Sequence, residues 1–385
     1  MSRSVLARLL SLLVLLISVS ASPSSAQLFE TRAKQAYLVD ADTGTVLFAK
    51  DENELVPPAS LAKLMTMEVV FNAIRSGRLT LDDTFQVSEN AWRTGGAISR
   101  TSTMFAELKS SIRLEDLIKG VIVQSANDGC IIIAEGMAGS EENFARLMTE
   151  RAREIGLTQS VFGNSSGLPH PDSRVSMKDL VVLARHIEST YPEFYRYYAM
   201  KEFSWNDINQ RNRNPLLNMD IGVDGLKTGF TEESGYGIVS SIKRDGRRLF
   251  LAMSGMTSER ERAEEARKML EWGIRAFEKK ALFGKDETIG EVSVYGGKAD
   301  AIVKAKSQVD ILLPITNPDR LSARISYRWP LRAPIEAGVQ VGVLKVYIGQ
   351  TLSQETPLFV MEAVDKGPLH IQALDALLEL AQFWL

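Results

Sequence analysis

Two periodicities alternate along the first two-thirds of the chain. AYLVDADTGTVLFAK reads as two strand-like runs, with Thr43-Gly44 supplying the turn between them. The stretch from Glu141 to Ile155 spaces its apolar residues as one face of a helix does. Ser176, followed three positions later by Asp179, marks a helix start ahead of the run LVVLARHI, and places His186 within that helix as a structural residue. Strand and helix patterns interleaved in this way from about Gln27 to Lys280 predict an α+β domain.

The pattern changes after about Leu282. Ala323 to Trp329 alternates apolar or aromatic residues with Arg and Ser, and EVSVY, AIVKAKSQVDILLPI and VGVLKVYIG repeat the strand-like signal between Gly-Gly, Asn-Pro and Ala-Gly breaks. Strands that each bury one face pack naturally as a small all-β sandwich, expected over residues 281–365. From 366 to 385 the chain reads as an amphipathic helix. Gln372, Asp375, Glu379 and Gln382 fall on one stripe among Leu, Ile, Phe and Trp. Such a helix fits the interface plane of a membrane, or a packing surface on a domain or partner chain. Between Leu369 and Leu385 its two acids and lack of Lys or Arg weaken attraction to anionic lipid.

Composition narrows the function classes. A chain of 385 residues with 45% apolar and 24% charged residues is globular, and long enough for two or three domains. Its 45 basic and 48 acidic residues leave no electrostatic footprint for nucleic acid. Three histidines and one cysteine argue against a zinc site and exclude an intrachain disulfide, so neither a metal nor a cofactor is expected. Residues 1–26 carry Arg3 and Arg8, an apolar run from Leu9 to Val19 and the small residues SASPSSA, with Ser24 and Ala26 before a cut at Gln27. That is the layout of a secretory signal peptide; the run is short for a spanning anchor. An exported protein follows.

Three short motifs carry candidate chemistry. Ser60-Leu61-Ala62-Lys63 opens a helical run, which puts a hydroxyl and an amine about one turn apart at a helix N-terminus. The free N–H groups there suit a developing oxyanion. An ammonium with its ordinary pKa cannot accept a proton at neutral pH, so Lys63 needs desolvation or a neighbouring cation, for which Lys227 is the candidate. Ser125-Ala126-Asn127 and Lys227-Thr228-Gly229 complete the set. Each alone also fits an ordinary structural role: a capped helix with a solvated lysine, a turn, a hairpin.

Taken together and in this order, with PPASLAKLMT, VIVQSANDGC, QRNRN and VDGLKTGFT as flanks, the motifs resemble the low-molecular-mass penicillin-binding proteins, specifically the serine-type D-alanyl-D-alanine carboxypeptidases. The resemblance extends over nearly the whole chain, including the β domain and terminal helix. It implies a penicillin-binding, serine β-lactamase-like catalytic domain over residues 27–280, a β sandwich, and a helix on the membrane face of the periplasm. Carried over residue by residue, Ser60 is the acylated nucleophile and Lys63 its general base. Ser125 passes the proton to the leaving amine, while Asn127 orients Lys63 and the substrate amide. Lys227 and Thr228 hold the site's field and the substrate carboxylate, and Gly229 lets an edge strand approach the substrate. Arg213, the second arginine of QRNRN, is carried over as a carboxylate ligand on a strand entering the site. Backbone N–H groups of Ser60 and Phe230 form the oxyanion hole. Phe230 stands where many relatives have His, and NSSGLPHPD departs from the common pattern.

The implied partners are peptidoglycan stem peptides and β-lactam antibiotics. A serine β-lactamase is the nearest rival, but no Glu-x-x-Leu-Asn occurs between Asn127 and Lys227, so slow release of penicillin is expected. An endopeptidase acting on cross-links and a penicillin-binding scaffold with vestigial activity are two further rivals. Cys130 reads as a buried small hydrophobe near the site.

Overall fold

Residues 29–316 and 321–382 are described by the structure, a computed structural model. The expected signal segment and its cut at Gln27 lie outside them, as do residues 383–385 of the terminal segment. Arg32–Leu385 forms one compact unit.

Five antiparallel strands form the central sheet: β1 (Gln35–Asp40), β2 (Val46–Lys50), β3 (Val223–Thr231), β4 (Gly235–Arg244) and β5 (Arg247–Met256), in the order β2-β1-β5-β4-β3. The β4–β5 hairpin closes through Asp245-Gly246, both at positive φ (55° and 75°), the paired left-handed geometry of a tight two-residue turn. Leu249 to Met253 are buried at every position, so both faces of β5 are covered. Helices α3 (Met177–Thr190) and α4 (Glu259–Arg275) pack against it. As expected, Ser176 caps α3, its Oγ accepting from the Asp179 N–H at 3.1 Å, and His186 lies in that helix 3.3 Å from Glu68 Oε1.

A helical region lies beside edge strand β3. Helix α1 (Lys63–Arg75) and helix α2 (Asn127–Ala138) share one apolar core through residues such as Leu64, Met65, Phe71, Ile131 and Ile132. Because the core clamps both helices, their N-terminal residues are held toward β3 with little freedom.

The second domain is built of two sheets. Strand β6 (Phe277–Phe283) pairs with β9 (Val309–Pro314), and β7 (Gly290–Val292), β8 (Ala301–Lys304), β12 (Thr351–Val360), β11 (Gln340–Ile348) and β10 (Leu321–Tyr327) form the other sheet in that order. Val303, Ile311, Leu344, Val346 and Leu358 are among its buried residues. Strand β6 runs across the expected junction at 280/281. Strand β10 ends at Tyr327, so Arg328 and Trp329 of the expected strand fall just beyond it. Thr45 Oγ1 and Gln354 Oε1, 3.3 Å apart, tie the β1–β2 turn to β12.

Helix α5 (Leu369–Gln382) follows. The Gly296 N–H donates to Asp375 Oδ2 at 2.7 Å, so Asp375 turns toward the β domain, while Leu369 and Leu377 are 82% and 65% exposed. Among the described residues no helix is long and apolar enough to cross a membrane.

Candidate active site

Pro57-Pro58 leads into a 3-10 turn, Ala59–Ala62, which runs directly into α1. Ser60 sits in that turn and Lys63 is the first residue of the helix. Lys63 is 1% exposed, and its Nζ lies 3.0 Å from Ser60 Oγ and 2.7 Å from Asn127 Oδ1, with the Ser166 carbonyl oxygen as a third partner. Two of these three oxygens, on Asn127 and Ser166, have no proton to give. A neutral amine has two N–H donors and one lone pair. With both N–H groups donated to Asn127 and Ser166, the lone pair is left facing the Ser60 hydroxyl, which is the orientation a general base requires.

Burial lowers the Lys63 pKa to about 8, with Arg213 pushing in the same direction against Asp128 and Glu141. Arg213 is thus a second cation acting on Lys63, beside the expected Lys227, whose repulsion with Lys63 is mutual. Lys227 is itself pushed well below the ordinary lysine range, by burial first and then by Lys63 and Arg213.

The second motif follows a π-helical turn, Gly120–Gln124, which delivers Ser125 in the left-handed region at φ 66° and ψ 34°. Local winding of this kind re-aims a side chain. Ser125 is 3% exposed, and its Oγ has no hydrogen-bond partner among the described residues. Asn127 opens α2; its Nδ2 donates to Thr101 Oγ1 at 3.0 Å, which fixes the amide so that Oδ1 faces Lys63. Asp128, missed in the sequence, anchors the adjoining loop by accepting from Thr103 Oγ1, Met104 N and Ala106 N at 2.6, 3.0 and 3.1 Å.

Lys227, Thr228 and Gly229 lie within β3 rather than at a hairpin turn. A Cβ on Gly229 would stand 3.1 Å from Ala59 Cβ and 3.3 Å from Leu61 N. The glycine's role is thus close packing of β3 on the serine turn; the expected approach is to the protein's own backbone. Lys227 is 2% exposed and donates to the Thr228 carbonyl at 3.2 Å, behind the surface that Thr228 and Phe230 present.

These walls enclose a cleft of about 980 Å³, lined by Ser60, Ser125, Asn127, Arg213, Thr228, Gly229 and Phe230 among others. Arg213 reaches it from a bend two residues past the short strand Ile208–Arg211, not from a strand as expected, and no described carboxylate pairs with it. Phe230 is 51% exposed with its ring 4.3 Å from that of Tyr236. Two further residues went unread. Arg262, in the first turn of α4, is 5% exposed, lines the cleft, lies over the Tyr236 ring at 5.6 Å and has no ion-pair partner among the described residues. Gly167 has φ +77°, and a Cβ there would fall 1.7 Å from the Ala59 carbonyl oxygen, so only glycine lets the Ser166 carbonyl reach Lys63. Its signal was the glycine in NSSGL. His170 lies in the same loop, and Cys130 is fully buried, one turn beyond Asn127.

Against known proteins, residues 20–257 match the family model described as D-alanyl-D-alanine carboxypeptidase, and residues 277–366 the C-terminal domain of penicillin-binding protein 5. The chain belongs to the D-alanyl-D-alanine carboxypeptidase family. It is 34% identical over 339 residues to D-alanyl-D-alanine carboxypeptidase DacC of Escherichia coli K12, covering 87% of this chain and 85% of the relative. Penicillin-binding protein 5 from Haemophilus influenzae has a similar structure, with a TM-score of 0.73 and 31% identity over 88% of this chain and 99% of that one. Penicillin-binding protein D2 from Listeria monocytogenes in its ampicillin-bound form gives a TM-score of 0.56 at 25% identity, over 64% of this chain and 99% of that one. The family assignment covers both domains, so the penicillin-binding fold expected from the motifs holds for the catalytic and β domains alike.

Proposed function

We propose that this D-alanyl-D-alanine carboxypeptidase family member hydrolyses the terminal peptide bond of peptidoglycan stem peptides ending in D-alanyl-D-alanine, and that β-lactams acylate the same serine. The observation that carries the mechanism is the Lys63 amine at 3.0 Å from Ser60 Oγ with its other donors committed to Asn127 and Ser166. Ser60 Oγ attacks the penultimate carbonyl carbon as its proton moves to Lys63 Nζ. The charge that develops on the carbonyl oxygen is met by the backbone N–H groups of Ser60 and Phe230. As the C–N bond breaks, the proton returns to the leaving amine through Ser125, whose buried and otherwise unpartnered hydroxyl is free to relay it. Water, deprotonated by the same lysine, then cleaves the ester and regenerates Ser60. Thr228, Arg213 and Arg262 bind the carboxylate of the departing D-alanine. The Arg262 guanidinium, buried without an ion-pair partner among the described residues, favours an anion arriving from solution.

Support for β-lactam acylation comes from the shared serine-lysine geometry and the ampicillin-bound relative. Incubating the mature chain with a pentapeptide ending in D-alanyl-D-alanine and quantifying free D-alanine tests the hydrolytic reading. Release of a longer fragment without D-alanine would replace it with endopeptidase action.

Export to the periplasm rests on the N-terminal pattern, and peripheral attachment to the inner membrane rests on α5. With Asp375 turned to the β domain, the helix leaves Leu369 and Leu377 outward. Deleting residues 369–385 should release the chain from membranes and leave hydrolysis of small peptides intact.

A further inference from the structure

The attachment proposed above has an electrostatic gap, because the segment from Leu369 to Leu385 contains Asp375 and Glu379 and no Lys or Arg. Such a helix is repelled by an anionic bilayer unless positive charge is supplied from elsewhere. The β domain carries that charge next to the helix. The fifteen residues from Leu321 to Ile335 include Arg324, Arg328 and Arg332 and no acid. Trp329, 47% exposed, sets its ring edge-on to Tyr295 at 6.5 Å, and the Arg332 guanidinium lies over the same Tyr295 ring at 5.0 Å. Tyr295 is bonded to this segment, with its N–H donating to the Leu331 carbonyl at 2.7 Å. The next residue, Gly296, is the one that donates to Asp375 of α5. The aromatic and basic surface is therefore continuous with the seat of the helix.

None of Arg328, Arg332, Lys298 and Lys366 is ion-paired among the described residues. Lys298 and Lys366 flank the same turn: Gly297 bridges to Lys366, and the Lys298 N–H donates to the Asp365 carbonyl. Asp300, Glu336, Glu362 and Asp365 are the acids nearest these bases in sequence, so the positive character rests on the acid-free segment that carries Arg328 and Arg332.

We infer that Arg328, Trp329 and Arg332 form, with α5, one composite surface that docks on anionic phospholipid, the helix inserting apolar side chains and the β domain supplying the charge and an interfacial tryptophan. This inference rests on the proposed membrane attachment and assigns its lipid class. Tryptophan and tyrosine favour the headgroup level, and arginines beside them reach phosphate oxygens. A basic side chain near an anionic surface contributes about fivefold in affinity, so removing two should cost about twenty-five-fold.

The test is vesicle sedimentation of the full mature chain with phosphatidylcholine alone and with phosphatidylcholine containing phosphatidylglycerol, at low and moderate salt. The parent should bind the phosphatidylglycerol vesicles more tightly, with a preference that salt weakens. Arg328→Gln with Arg332→Gln should lose most of that preference and leave binding to phosphatidylcholine unchanged; Trp329→Ala should weaken binding to both. Full labelling of each variant by a fluorescent penicillin would confirm its fold, since none of these residues lines the cleft. A double variant that keeps the parent's preference, or a parent without one, would overturn the composite surface. Deletion of residues 369–385 separates the two ideas: if that variant still sediments like the parent, the helix is not the anchor, whatever the arginines do. A parent that binds neither vesicle overturns both.

Discussion

Acylation should follow the titration of Lys63, and pH is the perturbation that reads it. Burial holds this amine at a pKa of about 8, so below that value the base is protonated and inactive. The active neutral fraction is about one-tenth at about pH 7, one-half at about pH 8 and nearly complete by about pH 10. The second-order rate of acylation by a chromogenic cephalosporin, followed by stopped flow, should therefore rise about fivefold over the first of these intervals and about twofold over the second. The sign is fixed by the role: a base whose pKa is lowered gains activity as pH rises through that pKa. Arg213→Ala provides an internal check. Its charge helps to lower the Lys63 pKa, so its removal should move the midpoint to higher pH, separately from any loss of affinity for the cephalosporin carboxylate. A rate that is flat across the range, or that falls with rising pH, would refute Lys63 as the neutral base. An unmoved midpoint in Arg213→Ala would refute the electrostatic link while leaving the base in place.

Ser60→Ala should give no penicillin adduct by intact mass, whereas an adduct of parental yield would place the nucleophile elsewhere. Gly167→Ala forces a Cβ against the Ala59 carbonyl at a positive φ, and should cost on the order of 3 kcal/mol of stability by denaturant unfolding and slow acylation by displacing Ser166; a variant with parental stability and rate would show that the loop can adjust. Phe230→Ala keeps the backbone donor and should change kcat little, while loss of the exposed ring raises KM by about twofold to tenfold, the scale of one aromatic contact; a large fall in kcat with KM unchanged would mean that the ring itself serves the chemistry. Arg262→Ala should reduce kcat/KM by about tenfold to a hundredfold on a peptide with a free terminal carboxylate and have little effect on the amidated peptide, since a lost charged partner costs about 1.5–3 kcal/mol; equal losses on both would deny it the carboxylate.

Local rules made some of the fold legible. The Ser176 cap, the strand pairs around Thr43-Gly44 and the two-sheet β domain each follow from patterns shorter than about fifteen residues. The end of β10 was less legible, because Arg328 and Trp329 continue the alternation while the chain turns away to place Trp329 against Tyr295. Alternation reports which face a residue takes and is blind to where pairing stops.

In the site, side chains were read more readily than the backbone that aims them. Ser60, Lys63 and Asn127 stand out because their chemistry is in the residue type, and the structure brings them within hydrogen-bond reach. The third partner of Lys63 is the carbonyl of Ser166, a group that every residue possesses, brought there from 103 positions away in sequence by a loop that closes only because Gly167 lacks a Cβ. No residue type announces a carbonyl. The same reasoning applies to Gly229, whose value lies in the serine turn packed against it rather than in the cleft. Arg262 escaped for a related reason: on its helix it reads as one basic residue among ERERAEEARK, and only the fold shows that it is the base of that run that lines the cleft, at 5% exposure, while Arg260 pairs with Glu264 and Arg267 with Glu271. A charge becomes a binding group when the fold buries it and withholds a counter-ion, a condition set by tertiary structure. The base pairs a residue legible in sequence with acceptors that long-range packing must deliver, so substitutions outside the three motifs, at Gly167 or along the loop that Asp128 anchors, are the ones expected to detune Lys63 without touching it.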